Sequence, residues 1–135
     1  MADTLKLEIV TPDATVFSED VQMVTLPALD GQIGVLPHHV PLLTHVIPGE
    51  IIVRKDSQQT YIAVGEGVVL ITGDRVAIVT DMAVAADNID EARAEEARQR
   101  AAARLRDKLS DEEVASVNAS LARSLAQLKV KRRRV

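Results

Sequence analysis

The sequence predicts an α+β chain: an N-terminal β-sandwich of about ten short strands followed by a C-terminal antiparallel two-helix hairpin. Two observations carry that expectation. All six glycines and all five prolines fall within residues 1–86, and none within 87–135; these residues punctuate turns and break helices. Charge divides at the same point. Residues 1–86 hold 4 basic and 11 acidic side chains, and residues 87–135 hold 12 basic and 9 acidic ones. The net charge of −4 therefore conceals an acidic first unit and a basic second one, able to attract each other or an acidic partner. The expected domains are accordingly 1–86 and 87–135.

In the first unit, Leu5, Leu7 and Ile9 alternate with Lys6 and Glu8, the period-two sign of a strand with one buried face. Val21 and Met23, then Val24 and Leu26, describe a strand whose facing slips near its middle, as at a bulge. Ile51–Val53, Tyr61–Val64, Val68–Ile71 and Val76–Val79 are short β-branched runs. Asp30-Gly31 and Gly73-Asp74 lie between apolar runs, where positive φ would close hairpins. Gly65-Glu66-Gly67 reads as a hairpin or bulge pair.

In the second unit, Asn88 with Glu91 and Ser110 with Glu113 each read as an N-cap with its reciprocal partner. One helix is expected from about Asn88 to Lys108 and another from Ser110 to about Lys129. The short break between them favours an antiparallel hairpin, with an extended, nearly continuous arrangement left open because no Gly or Pro forces the turn. Ala94, Ala97, Ala101 and Leu105 form a light stripe on the first helix. Val114, Val117, Leu121, Leu125 and Leu128 form a heavier one on the second. A buried leucine contributes ~1.5–3 kcal/mol and an alanine methyl much less. The second helix should therefore supply the grip, and the hairpin should be a moving part within reach of a ligand or partner.

Several function classes are excluded by composition. The chain has no cysteine, so disulfides, thiolate metal sites and cysteine nucleophiles are absent. Phe17 and Tyr61 are the only aromatic residues, too few for base stacking on single-stranded nucleic acid. No nucleic-acid partner is expected, despite the basic run Lys129–Arg134, which complements a helix C-terminus. The longest apolar run, Met82 to Ala86, falls far short of the roughly 20 residues of a membrane span. Met1 to Leu5 lack the pattern of a secretory signal. His38, His39 and His45 have no nearby carboxylate in sequence, and adjacent histidines on a strand point apart, so no metal site is expected. No nucleophile–base set and no phosphate loop can be read, so no catalytic residue is assigned and no cofactor is required.

One cationic feature remains. At 100° per residue Arg93, Arg100 and Arg104 lie within about 40° of one another. Guanidinium forks match phosphate oxygens, and Asp90 at the helix start suits an adenine amine or a ribose hydroxyl. The plainer reading pairs Arg93 with Glu96 and Glu96 with Arg100 on the helix surface, at about 0.2–0.5 kcal/mol each.

The stretch Gly31-Gln-Ile-Gly-Val-Leu-Pro-His-His-Val-Pro-Leu-Leu-Thr44 resembles a signature of the epsilon subunit of F-type ATP synthases, the delta subunit in mitochondria. Ile89-Asp90-Glu91-Ala92-Arg93-Ala94, followed by Ala97, Arg100, Arg104 and Leu105, is similar to that family's motif at the start of its first C-terminal helix. Ser120 to Leu128 resembles the end of the second. The likeness spans nearly the whole chain. Gln32 stands where many members carry an acid. His38 stands where most carry a glycine, on a turn that wants positive φ. Val84 and Gln127 stand where ATP-binding members carry an acid and an arginine.

The resemblance implies a non-catalytic rotor subunit in the central stalk of a proton-translocating complex. The sandwich would meet the gamma subunit and the loops of the membrane c-ring, with Gly31, Gln32, Gly34, Pro37, His39, Pro41 and Leu42 at the interface. The helices would permit rotation when folded. Extended into the alpha/beta catalytic head, where their basic residues would meet an acidic segment of beta, they would block ATP hydrolysis. ATP is implied as a regulatory ligand of Ile89, Asp90, Arg93, Arg100 and Arg123. The chain would lie on the cytoplasmic side of the cell membrane, peripheral and held there only through the complex. From the residues alone, a second reading is a free-standing ligand-binding β-sandwich with a helical oligomerisation arm.

Overall fold

The computed structural model describes residues 3–107 and 109–133, without the side chain of Arg133. Ten strands come first: β1 (Leu5–Val10), β2 (Thr15–Val21), β3 (Met23–Ala28), β4 (Gly31–Val35), β5 (Leu42–Val46), β6 (Gly49–Lys55), β7 (Gln58–Val64), β8 (Gly67–Thr72), β9 (Arg75–Thr80) and β10 (Ala83–Ala85). A 3₁₀ turn at Ala86–Asn88 leads to α1 (Glu91–Arg104) and α2 (Asp111–Arg133). The α+β reading, with its sandwich and two helices, holds.

The strands run in the order β10-β7-β6-β3-β5-β8-β9-β1-β2, with β4 also on β3. The sheet folds over where β3 meets β5 through one residue pair, Ala28 with Val46. Two layers result, β10-β7-β6-β3-β4 and β5-β8-β9-β1-β2. Gln22 N donates to Arg54 O at 2.9 Å, and Lys55 Nζ lies 2.7 Å from Glu19 Oε1, drawing β2 back toward β6. Inward residues of both layers, among them Leu7, Ile9, Leu26, Ile51, Ile71 and Ile78, form one core. At ~1.5–3 kcal/mol for each buried large aliphatic side chain, this core dominates stability.

The turns follow from local chemistry. Gly31 has φ 123° and lies at the end of the two-residue loop Leu29-Asp30 that joins β3 to β4. Gly73-Asp74 joins β8 to β9, as predicted, but without the positive φ expected there. Asp56-Ser57 closes a third hairpin, with Asp56 at φ 57°, a conformation aspartate tolerates better than most residues. His38 sits at φ 69°, the positive value expected of its turn.

Several expectations are corrected. The slip near Val21 is no bulge; the chain leaves β2 at Gln22 and starts β3 in the other layer. Gly65-Glu66-Gly67 makes no hairpin, because β7 and β8 belong to different layers. Asn88 does not cap a helix. Ile89 is drawn into a buried cluster and holds its backbone extended (φ −83°, ψ 125°), so helix one cannot begin until Glu91. Asp90 is the N-cap, accepting from Arg93 N at 3.1 Å. α1 ends at Arg104, and Lys108 lies outside the described residues. The Ser110 cap is as expected: Glu113 N donates to Ser110 Oγ at 3.2 Å and Ser110 N to Glu113 Oε1 at 3.4 Å. Helix two continues past Lys129 to Arg133.

The two helices pack antiparallel, α1 on α2 and α2 on β6 and β7. Arg132 near the end of α2 donates to Glu91 at 3.0 Å and Glu95 at 3.3 Å near the start of α1. The predicted α2 stripe is only partly right. Val117 and Leu128 are buried, with Ser124 between them, but Leu125 is 48 % exposed. Ala126 and Val130, roughly opposite on the helical wheel, are buried with Ala63, Ala86 and Ile89. A helix held between another helix and a sheet buries two opposite faces, which a single-stripe reading misses. On α1, Ala94 and Ala101 are buried while Leu105 is exposed.

Candidate functional site

Two clefts adjoin on the helical hairpin. The first, about 330 Å³, is lined by Val84, Asn88, Asp90, Arg93, Arg100 and Gln127, among others. The second, about 440 Å³, includes Arg100, Arg104, Ser116, Ser120 and Arg123. Ala97 and Arg100 border both. Each volume lies in the range of small-molecule sites, ~300–1,000 Å³. The fold thus brings Asp90, Arg93 and Arg100 to one cleft and carries Arg100 and Arg123 into the next. Ile89 is placed differently: at 5 % exposure it packs in the cluster under α2.

The charge of this groove is arranged by its helices. Asp90 spends one carboxylate oxygen on the Arg93 amide. The surface pairs expected of Glu96 are replaced by Glu95 with Arg98, whose guanidinium grips both carboxylate oxygens. The Arg98 hydrogen bond, joined by the weaker pulls of Gln99 and Arg132, holds the Glu95 carboxyl below the usual carboxylate range. Among the described residues, neither Arg93 nor Arg100 makes an ion pair. Both remain available to an anion. Arg104 lies 3.7 Å from Glu113, and Arg123 Nη1 lies 3.2 Å from Asp81 Oδ2. Gln127 Nε2 reaches Met82 Sδ at 2.9 Å.

The segment from Gly31 to Leu42 forms β4, a loop and the start of β5. Gly31, Gln32, Gly34, Pro41 and Leu42 are exposed, and Pro37 and His39 are half-buried. His39 Nδ1 meets Val40 O at 2.6 Å, and His38 Nε2 meets Asp3 Oδ2 at 3.3 Å. The loop also exposes Leu36 and Val40.

A second surface escaped the motif reading. On the outer face of β5-β8-β9-β1, the register lines up Leu43, Leu70, Ala77 and Glu8 in one row and His45, Val68, Val79 and Val10 in the next. Leu43, Val68, Leu70 and Val79 are 40–69 % exposed. Val68 and Val79, with exposed Leu29 and Ile47, border a groove of about 1,020 Å³ that also includes Glu66 and Asp81, and Leu43 and Leu70 extend the apolar face beside it. The signal lay in Val68-Val69-Leu70-Ile71, apolar on both faces. An unbroken apolar strand is usually covered on both sides, and here none of the described residues covers the outer one.

Among the described residues no helix is long and apolar enough to cross a membrane. Residues 4–86 match the family model of the ATP synthase delta/epsilon chain β-sandwich domain, and residues 87–132 match that of its long α-helix domain. An ATP synthase epsilon chain of Herpetosiphon aurantiacus is 41 % identical over 126 residues, 93 % of each chain. ATP synthase epsilon chain 2 of Syntrophotalea carbinolica is 45 % identical over 131 residues, 96 % of this chain and 95 % of that one. A chain of the Euglena gracilis mitochondrial ATP synthase superposes with a TM-score of 0.77 at 20 % identity, over 93 % of this chain and 79 % of its own length. One from the Tetrahymena thermophila central stalk and c-ring assembly gives 0.59 at 13 % identity, over 94 % and 96 %. The last two likenesses concern the fold, but the sequence matches span both halves: the chain belongs to the ATP synthase delta/epsilon family, as a non-catalytic epsilon chain of that membrane-associated complex.

Proposed function

We propose that this chain couples rotation in the central stalk and also regulates it. The sandwich docks on a gamma subunit through the face of Leu43, Val68, Leu70 and Val79, and on the c-ring loops through Gly31 to Leu42. The bare apolar face is the observation that carries this reading. Contiguous apolar surface of this kind marks a partner site, and a torque-bearing joint requires a permanent one. The Tetrahymena neighbour comes from a central stalk and c-ring assembly, which supports the same placement. The chain sits on the cytoplasmic side of the membrane and reaches it only through its partners.

The hairpin is the regulatory part. Folded on β6 and β7 it permits rotation. Extended toward the alpha and beta subunits, it blocks ATP hydrolysis. ATP in the groove of Asp90, Arg93, Arg100 and Arg123 spans both helices and so favours the folded form, by an amount set by its concentration over its Kd. Three results test the proposal. Calorimetry should show the isolated chain binding gamma. Deleting residues 87–135 should raise ATP hydrolysis by the reconstituted complex. Millimolar ATP should shift the Asp90 and Arg93 amide resonances. No gamma binding would overturn the stalk role, unchanged hydrolysis the inhibition, and unshifted resonances the nucleotide site.

A further inference from the structure

Arg123 belongs to two places. It lines the cleft of Arg100 and Arg104, yet its Nη1 lies 3.2 Å from Asp81 Oδ2 on the segment between β9 and β10. That segment is itself fastened. Asp81 N donates to Glu66 O at 3.0 Å, and Gly65 N donates to Met82 O at 2.9 Å. Gly65 keeps the ground beneath the pair clear. A Cβ there would stand 1.9 Å from Asp81 Oδ1 and 3.4 Å from Arg123 Cγ. The glycine thus admits a carboxylate that holds a guanidinium of the groove.

We propose that Asp81 is a built-in competitor of the anionic ligand, occupying Arg123 in the free chain and yielding it to a polyphosphate. This rests on the nucleotide reading above and adds the residue that sets its affinity. The side chains of Arg123 and Asp81 are 36 % and 44 % exposed, so the pair is solvent-screened and weak enough to be displaced. It is also a clasp between the sandwich and α2. The same contact therefore helps hold the hairpin down and weakens the ligand that would hold it down in its place. Exchange of one anion for another leaves the docked hairpin with a stronger partner for Arg123 only while the ligand is present.

The test titrates ATP and, separately, inorganic tripolyphosphate into the full chain, by calorimetry. Asp81→Asn should tighten both about two- to five-fold, the span of an exposed ion pair. Gly65→Ala, which evicts the carboxylate by a different route, should act in the same direction. Without ligand, both variants should exchange α2 amides faster than the parent chain. A clasp with no competing role predicts weaker binding in both variants, and weaker or unchanged binding overturns the proposal. If tripolyphosphate tightens while ATP binds none of the three chains, the competitor stands and the nucleotide reading falls. If neither probe binds any of the three chains, both fall.

Discussion

The two outer faces of the sandwich solve the same problem in opposite ways. On β6 and β7 the apolar surface is covered by the chain's own α2, through Ala63, Ala86, Ile89, Ala126 and Val130. On β5, β8, β9 and β1 it is left open, although its side chains are larger: Leu43, Val68, Leu70 and Val79. Free energy from burial grows with apolar area. The self-made cover, built mostly on small residues, is the weaker and more reversible contact. The uncovered face offers more apolar area, and in the proposed assembly the gamma subunit would cover it. One face is suited to a switch and the other to a fixed joint.

The contrast breaks first at the open face. Leu70→Glu should leave the isolated chain folded, because Leu70 is already 49 % exposed. It should weaken gamma binding by about 4 kcal/mol, near 1,000-fold, since the carboxylate would be buried unpaired in the interface. Calorimetry with gamma reads this directly, and an affinity within a few-fold of the parent would reassign the face. The interior comes next. Ile78→Ala should cost about 3 kcal/mol of global stability in denaturant unfolding. Val130→Ala should cost about 2 kcal/mol, but only in docking of the hairpin, so the sandwich transition should not move. At the loop, His38→Gly should stabilise the chain by up to ~1 kcal/mol by relieving the left-handed backbone, visible as a small rise in Tm.

Acid sharpens the comparison on the helical side. Glu95 is held below an ordinary carboxyl's 4.5 by Arg98, so the folded state binds its proton less readily than the unfolded one. Its contribution is complete above about pH 4.5 and is lost as pH falls through the lower folded value. Helical ellipticity of the parent chain should therefore exceed that of Glu95→Gln at neutral pH, and the two curves should converge in acid.

Much of this was legible beforehand. The division of glycine, proline and charge announced two kinds of structure, and Leu5, Leu7 and Ile9 alternate in burial as their spacing predicts. The Ser110–Glu113 cap was readable because both partners are local. Asn88 misled because a tertiary demand, the burial of Ile89, overrides a local cap. Leu125 misled because α2 is buried on two sides. Asp81 and Gly65 carry no motif; their meeting with Arg123 joins positions 42 and more residues apart, which only the fold reveals. The open face was written in Val68–Ile71, but recognising it required knowing that neither α1 nor α2 packs on that side.

Hydrogen exchange on the isolated chain, followed amide by amide, separates a mobile hairpin from a fixed sandwich. α1 and α2 should exchange through an opening that leaves β8 and β9 protected, at rates at least tenfold faster than the core strands. Exchange of helices and core strands together, in one cooperative unfolding, would contradict that separation.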